Sequence, residues 1–251
     1  MKYGIVLLML LLAGCVSTGN GNNDNNSSTG RTSARIHTEL AGLYFERAQL
    51  GTALSEIGTA LQADSNYAPA YNVRGLIHMT LREDKEAEAD FQRSLQLDKE
   101  DSETHNNYGW FLCQRLRPTE SIPHFLVALK NPLYTTPERA YLNAGVCSQK
   151  AGNYQDAQDF LQRALTIRPG LPQALLGMAE VSFFQGAFHT AQRYFGEFSA
   201  KSDGLSADNL LLAVRINRAV GDRNVEATYA AQLRQNYPDS NQARLLNTLN
   251  R

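Results

Sequence analysis

From Ala34 onward, small residues recur at Ala41, Gly75, Gly109, Gly145, Ala179 and Ala213, at spacings of 34, 34, 36, 34 and 34. Twelve residues after each stand Ala53, Ala87, Ser121, Ala157, Ala191 and Val225, and four further on come Ile57, Phe91, Phe125, Leu161, Phe195 and Tyr229. Three more give Ala60, Ser94, Ala128 and Ala164, before the pattern lapses at Phe198 and Gln232. Self-similarity at this period means a stack of small units, none of which can bury its apolar face alone. The four-residue step keeps two side chains on one helix face, and a small residue opposite a large one lets two helix axes approach. Turn signals such as Ala151-Gly152-Asn153-Tyr154 and Gln185-Gly186-Ala187 divide each unit into two helices.

This pattern resembles the tetratricopeptide repeat. It predicts an all-α fold, a right-handed α-solenoid of six helix pairs at 34–67, 68–101, 102–135, 138–171, 172–205 and 206–239. Thr136 and Pro137 are extra residues that lengthen the turn after the third unit. Pro238 closes the last unit, and Asp239-Ser240 can cap a short helix in 240–251 whose Leu245, Leu246 and Leu249 cover the exposed final repeat.

The segment THNNYGWFLCQ (104–114) joins a polar pair, the only tryptophan and a cysteine. In the repeat frame His105, Tyr108 and Leu112 take buried positions around the crossing Gly109. The resemblance places Asn106, Trp110, Cys113 and Gln114 on the concave surface. Equivalent positions are Asn72, Leu76 and Met79, then Leu142, Val146 and Gln149, then Leu176, Glu180 and Phe183. Asn107 and Asn143 sit where amides in such arrays grip a peptide backbone. The predicted partner groove therefore comprises Asn72, Leu76, Met79, Asn106, Asn107, Trp110, Gln114, Leu142, Asn143, Val146 and Phe183, with aromatic and Met anchors as its hot spots. The competing reading is tight inner curvature that buries these side chains against adjacent helices.

Cys113 and Cys147 fall on the first helices of consecutive units, at repeat positions 12 and 10. Adjacent first helices face each other through opposite sides. Two residues at ~100° each differ by ~200° and by only ~3 Å along the axis, so the thiols can meet. A Cys113–Cys147 disulfide is expected in an oxidising compartment, against the alternative of two buried free thiols.

Chemistry is otherwise scarce. Lys plus Arg total 24 against 25 Asp plus Glu, with no basic face of the kind nucleic-acid binders carry. His37, His78, His105, His124 and His189 are scattered, and HExxH, CxxC, GxSxG and Gly-rich phosphate loops are absent. The sequence predicts no enzyme, no cofactor or metal, no nucleic acid and no small-molecule substrate.

At the N-terminus, MKYGIVLLMLLLAGC has Lys2, an apolar run from Ile5 to Ala13 and small residues ahead of Cys15. The run is short for a permanent span. Leu12-Ala13-Gly14-Cys15 resembles a bacterial lipobox, which implies a signal peptide at 1–14 and lipidation of Cys15; an ordinary signal peptide is the alternative. More than one acyl chain gives durable anchoring. Val16 rather than Asp follows the Cys, so the sorting rule sends a Gram-negative protein to the outer membrane, facing the periplasm. Residues 15–33, rich in Asn, Gly, Ser and Thr, read as a flexible tether with a reach of roughly 20–25 Å.

A lipobox, a polar tether and six such repeats together resemble the PilF/PilW type of type IV pilus biogenesis lipoprotein. The stretch HNNYGWFLCQ…NPLYTTPERAYLNAGVC (105–147) carries the likeness beyond the generic repeat. The resemblance implies a membrane-tethered scaffold that assists assembly or localisation of the outer-membrane secretin, or stabilises the pilus fibre, together with other pilus assembly proteins. A periplasmic repeat adaptor of another envelope machine, for barrel assembly or cell-wall synthesis, is the alternative.

Overall fold

The computed structural model describes residues 21–249, with side chains from 28 to 246. Cys15 and the rest of 1–20 lie outside the described residues. Every regular element among those described is helical: α1 Gly21–Glu46, α2 Leu50–Ala63, α3 Ala68–Leu81, α4 Asp84–Leu97, α5 Ser102–Gln114, α6 Pro118–Ala128, α7 Pro137–Lys150, α8 Tyr154–Ile167, α9 Pro172–Phe184, α10 Phe188–Ser199, α11 Ala207–Val220, α12 Arg223–Asn236 and α13 Asn241–Leu249. Successive helices pack as antiparallel hairpins, and hairpins stack in chain order. None of the described helices is long and apolar enough to cross a membrane.

Local chemistry sets the helix ends. The side chains of Asp101, Asn153, Ser206 and Asp222 accept from the backbone N–H three residues on, satisfying a donor that the first turn leaves free. Proline opens α3, α6, α7 and α9, where no helical N–H bond is lost. The first helix of each of the six pairs is followed by a left-handed residue: Ala48, Arg82, Leu116, Gly152, Gly186 or Gly221.

The small residues act as the period implies. A Cβ on Gly75 would lie 2.9 Å from Phe91 Cε1, one on Gly109 2.9 Å from Phe125 Cε1, and one on Gly145 2.6 Å from Leu161 Cγ. The second, third and fourth hairpins thus close by pressing a large residue of the second helix into a notch in the first. The same large residue reaches the next unit: the Phe91 ring stacks on Tyr108 at 5.8 Å and lies 5.7 Å from Phe111.

Three expectations need correction. Residues 21–33 are not a flexible tether but the first half of α1. From Ser28 onward α1 runs past the end of α2, where a Cβ on Gly30 would lie 2.7 Å from the Ala63 carbonyl oxygen. The Arg31 guanidinium also lies over Tyr67, 6.0 Å from the ring centroid. Close backbone approach and cation–π contact, not apolar burial, dock this polar stretch, so its composition hides it. Pro137 belongs to α7 rather than to the preceding turn. That turn is held by Asn131, whose Nδ2 donates to Ser102 Oγ at 3.2 Å and whose Oδ1 accepts from Leu133 N at 2.9 Å. Finally, α13 buries Ala243 and Leu246 against Leu210, Leu211, Val214 and Leu233, while Leu245 stays 46% exposed. One helix buries one stripe, and Leu245 lies about 100° away from it. Ser240 Oγ caps this helix by accepting from Ala243 N at 3.1 Å.

Candidate functional site

The first helices of units one to four, α1, α3, α5 and α7, line a concave cavity of about 560 Å3. Its walls are Gly42, Phe45, Glu46, Val73, Leu76, Met79, Thr80, Glu103, Asn106, Asn107, Trp110, Arg139, Leu142 and Asn143. Of the residues predicted from sequence, Leu76, Met79, Asn106, Asn107, Trp110, Leu142 and Asn143 therefore come together. Four do not. Asn72 is buried behind the wall, and Gln114 and Val146 do not line the cavity. Phe183 packs into a separate aromatic group with Phe184 and Phe188, at 6.0 and 5.6 Å.

The amides behave differently from a row of free peptide grips. Asn107 Nδ2 donates to Asn72 Oδ1 at 3.1 Å, linking α5 to α3, and Asn143 Nδ2 donates to Asn106 Oδ1 at 3.0 Å, linking α7 to α5. Asn72, Asn106 and Asn107 are 6, 1 and 6% exposed, so these bonds satisfy groups that burial would otherwise penalise. Each amide retains further donor or acceptor capacity. The predicted peptide grip is thus first a ladder between repeats.

Trp110 sits on the wall above a second tie. The Cys113 and Cys147 sulfurs are bonded, with Cα atoms 5.8 Å apart, and both residues are fully buried with Phe125 and Ala144. Trp110, Ile122 and Phe160 pack around them. The Lys150 ammonium lies 5.8 Å from the centroid of the Trp110 ring, a cation–π distance. Beneath, His105 Nε2 donates to the Lys99 carbonyl at 3.0 Å, which leaves its Nδ1 to accept from His124 Nδ1 at 2.9 Å. The Tyr108 ring meets His124 edge-on at 4.7 Å, and its hydroxyl donates to Glu88 at 2.9 Å. Burial, then the neighbouring His105, pushes the His124 pKa down to about 4. One repeat beyond the cavity, burial raises the Glu180 carboxyl although the Gln149 amide donates to it at 2.9 Å.

Gly42, Phe45, Val73, Glu46, Thr80, Glu103 and Arg139 were missed as wall residues. The signal was present: Phe45 precedes Met79, and Glu46 precedes Thr80, by one 34-residue period, and Val73 precedes Asn107 likewise. Among the described residues no group of three or more His, Cys, Asp or Glu is placed to hold a metal ion.

Stacked helical hairpins with a small-to-large crossing in each and a concave wall of first-helix side chains define a tetratricopeptide-repeat solenoid. Residues 68–101 and 138–170 match the family described as Tetratricopeptide repeat. The crystal structure of PilW, a "widely conserved type IV pilus biogenesis factor", is 36% identical, with 85% of this chain and 97% of that one covered at a TM-score of 0.79. The type IV pilus assembly protein PilF of Pseudomonas aeruginosa is 29% identical over 237 residues, 94% of this chain and 93% of the relative. A solved structure of P. aeruginosa PilF, 25% identical, superposes with a TM-score of 0.81 over 88% of this chain and 99% of that one. The chain belongs to the PilF/PilW family of tetratricopeptide-repeat proteins.

Proposed function

We propose that this protein is a membrane-tethered interaction scaffold of type IV pilus biogenesis, acting on the assembly, localisation or stability of the outer-membrane secretin and the pilus fibre. The observation that carries the reading is the near full-length likeness to PilW and PilF, two proteins named for pilus biogenesis. The cavity across α1, α3, α5 and α7 supports the scaffold part: its apolar walls and tied amides suit a bound polypeptide segment. The lipobox-like Leu12-Ala13-Gly14-Cys15 supports tethering at the periplasmic face of the outer membrane. As a non-catalytic adaptor, the protein works by holding partners in place.

The test compares a deletion strain with wild type for surface pili and heat-stable secretin oligomers. Loss of either, restored by the intact gene, is expected. Normal pili and normal oligomers in a piliated host would refute the pilus role and leave an adaptor of another envelope machine. Cys15→Ser is expected to release the protein from membranes while preserving its helicity; unchanged outer-membrane fractionation would refute the tether.

A further inference from the structure

The charges along the rim of the cavity are ordered. At the last shared position of the first helices, Glu46 of unit one and Thr80 of unit two line the cavity, and the equivalent Gln114 of unit three and Lys150 of unit four continue the row outside its lining. One rim therefore runs from an acid, through two neutral residues, to a base. Glu46 and Lys150 are both exposed; Glu46 forms no ion pair among the described residues, and Lys150 contacts the face of Trp110. On the opposite rim Glu103 and Arg139, 3.9 Å apart, compensate one another. Further out, Arg35 is paired with Glu39 at 2.8 Å, and Arg115 with Asp84 at 2.5 Å. Of the charges beside the cavity, Glu46 thus lies at the α1 end and Lys150, against the face of Trp110, at the α7 end, with a floor of Phe45, Val73, Leu76, Met79, Trp110 and Leu142 between them.

The floor also bears on the conformation of the occupant. Asn106 and Asn107 are buried yet line the cavity, and each keeps hydrogen-bonding capacity beyond the ladder. An extended backbone presents free N–H and C=O groups to such amides, whereas a helix satisfies its own. Packed helices lie about 8–10 Å apart, so three steps from α1 to α7 span about 25–30 Å. At about 3.3 Å per residue that is eight or nine extended residues.

We propose that the cavity takes an extended polypeptide segment of about eight or nine residues with an apolar centre, a basic side chain at the end lying on α1 and an acidic one at the end lying on α7. This rests on the scaffold reading above and specifies its partner. Two rim charge pairs, each modest in water, make a preference of about tenfold at low salt over segments charged alike at both ends.

Fluorescence anisotropy with full-length protein in detergent tests this with four labelled nonapeptides sharing one apolar centre. Two carry lysines at one end and glutamates at the other, in either order; two carry only lysines or only glutamates at both ends. One bipolar peptide is expected to bind about tenfold tighter than either uniform peptide, and Glu46→Lys with Lys150→Glu is expected to invert which bipolar order is preferred. Equal affinities, no inversion, or no binding of either bipolar peptide would overturn the proposal. Trp110→Ala separates it from the scaffold reading. Uniform weakening of all four peptides by Trp110→Ala, with no effect of the charge exchange, leaves the groove standing and refutes the charge order. Binding indifferent to Trp110→Ala refutes the groove itself.

Discussion

The stack from α3 through α5 to α7 and the stack from α9 to α11 are built on the same repeat, yet they are joined differently. Toward the C-terminus, Ala174, Leu175, Met178 and Val181 of α9 are buried in an apolar cluster with Phe195, Phe198, Ala213 and Ile216. In the middle, apolar contacts such as Phe91 with Tyr108 and Phe111 are supplemented by two amide pairs and a disulfide. Apolar packing is tolerant of small shifts and rewards any arrangement that excludes water. Hydrogen bonds and covalent bonds hold particular atoms at particular distances. The amide links lie in the cavity wall and the disulfide behind it, where the spacing of Trp110, Leu142 and Asn143 has to be held. The C-terminal stack is closed chiefly by packing, with one amide bond, from Gln192 Nε2 to Asn217 Oδ1 at 2.8 Å, across its two units.

The comparison breaks first at Phe195. Its ring, 2% exposed, lies edge-on to Tyr229 at 5.8 Å, and Phe195→Ala should cost about 3–5 kcal/mol in units five and six. In a stack coupled chiefly between neighbours, the loss should stay mostly local. Urea unfolding followed by circular dichroism should show an early helical transition, while emission of Trp110, the only tryptophan, changes later. Equal displacement of the two signals would mean that the two stacks are one cooperative unit.

Next in size is the disulfide. Closing a loop of 34 residues restricts the unfolded chain by roughly 3–4 kcal/mol in the loop-entropy account. Cys113→Ala with Cys147→Ala should therefore move the Trp110 transition by about that amount and leave the C-terminal transition nearly in place. Intact-mass measurement after alkylation, with and without reductant, checks the bond directly; two alkylated cysteines in the unreduced sample would remove it from the account. A smaller effect is expected of Asn107→Ala, which strands the buried Asn72 carbonyl oxygen at about 1–3 kcal/mol. A double-mutant cycle with Asn72→Ala should show coupling between the two. Zero coupling would reduce the ladder to ordinary packing.

How much of this was legible from the residues follows from the kind of interaction. The crossing of Gly109 by Phe125 repeats as Gly75 with Phe91 and Gly145 with Leu161, so a period exposes it. The Cys113–Cys147 encounter follows from helix geometry once the repeat frame is fixed. The pairing of Asn106 with Asn143 was hidden, because an amide at a concave position can face a ligand or a neighbouring repeat, and only the curvature decides. Phe183 misled for the opposite reason: its register is that of a wall residue, but Phe184 and Phe188 give it closer aromatic company. The docking of residues 28–33 was invisible because Gly30 acts there by lacking a side chain.

The smallest effect expected concerns pH, and it bears on the polar stack alone. His124 takes up a proton only near pH 4 in the folded protein, against 6.5 for an ordinary histidine. Above pH 6.5 the ring is neutral folded or unfolded, and the full stability is present. As pH falls from 6.5 toward 4, the unfolded chain gains a proton that the folded chain refuses, so stability declines; below that it levels off. The ring is only half-buried, and solvent screening limits the loss to about 1 kcal/mol or less. Thermal melts at pH 7 and pH 5 should therefore show a drop, read through Trp110, that His124→Gln flattens. If the drop survived that substitution, protonation elsewhere would be responsible. If it appeared equally in units five and six, the middle stack would hold no titration of its own.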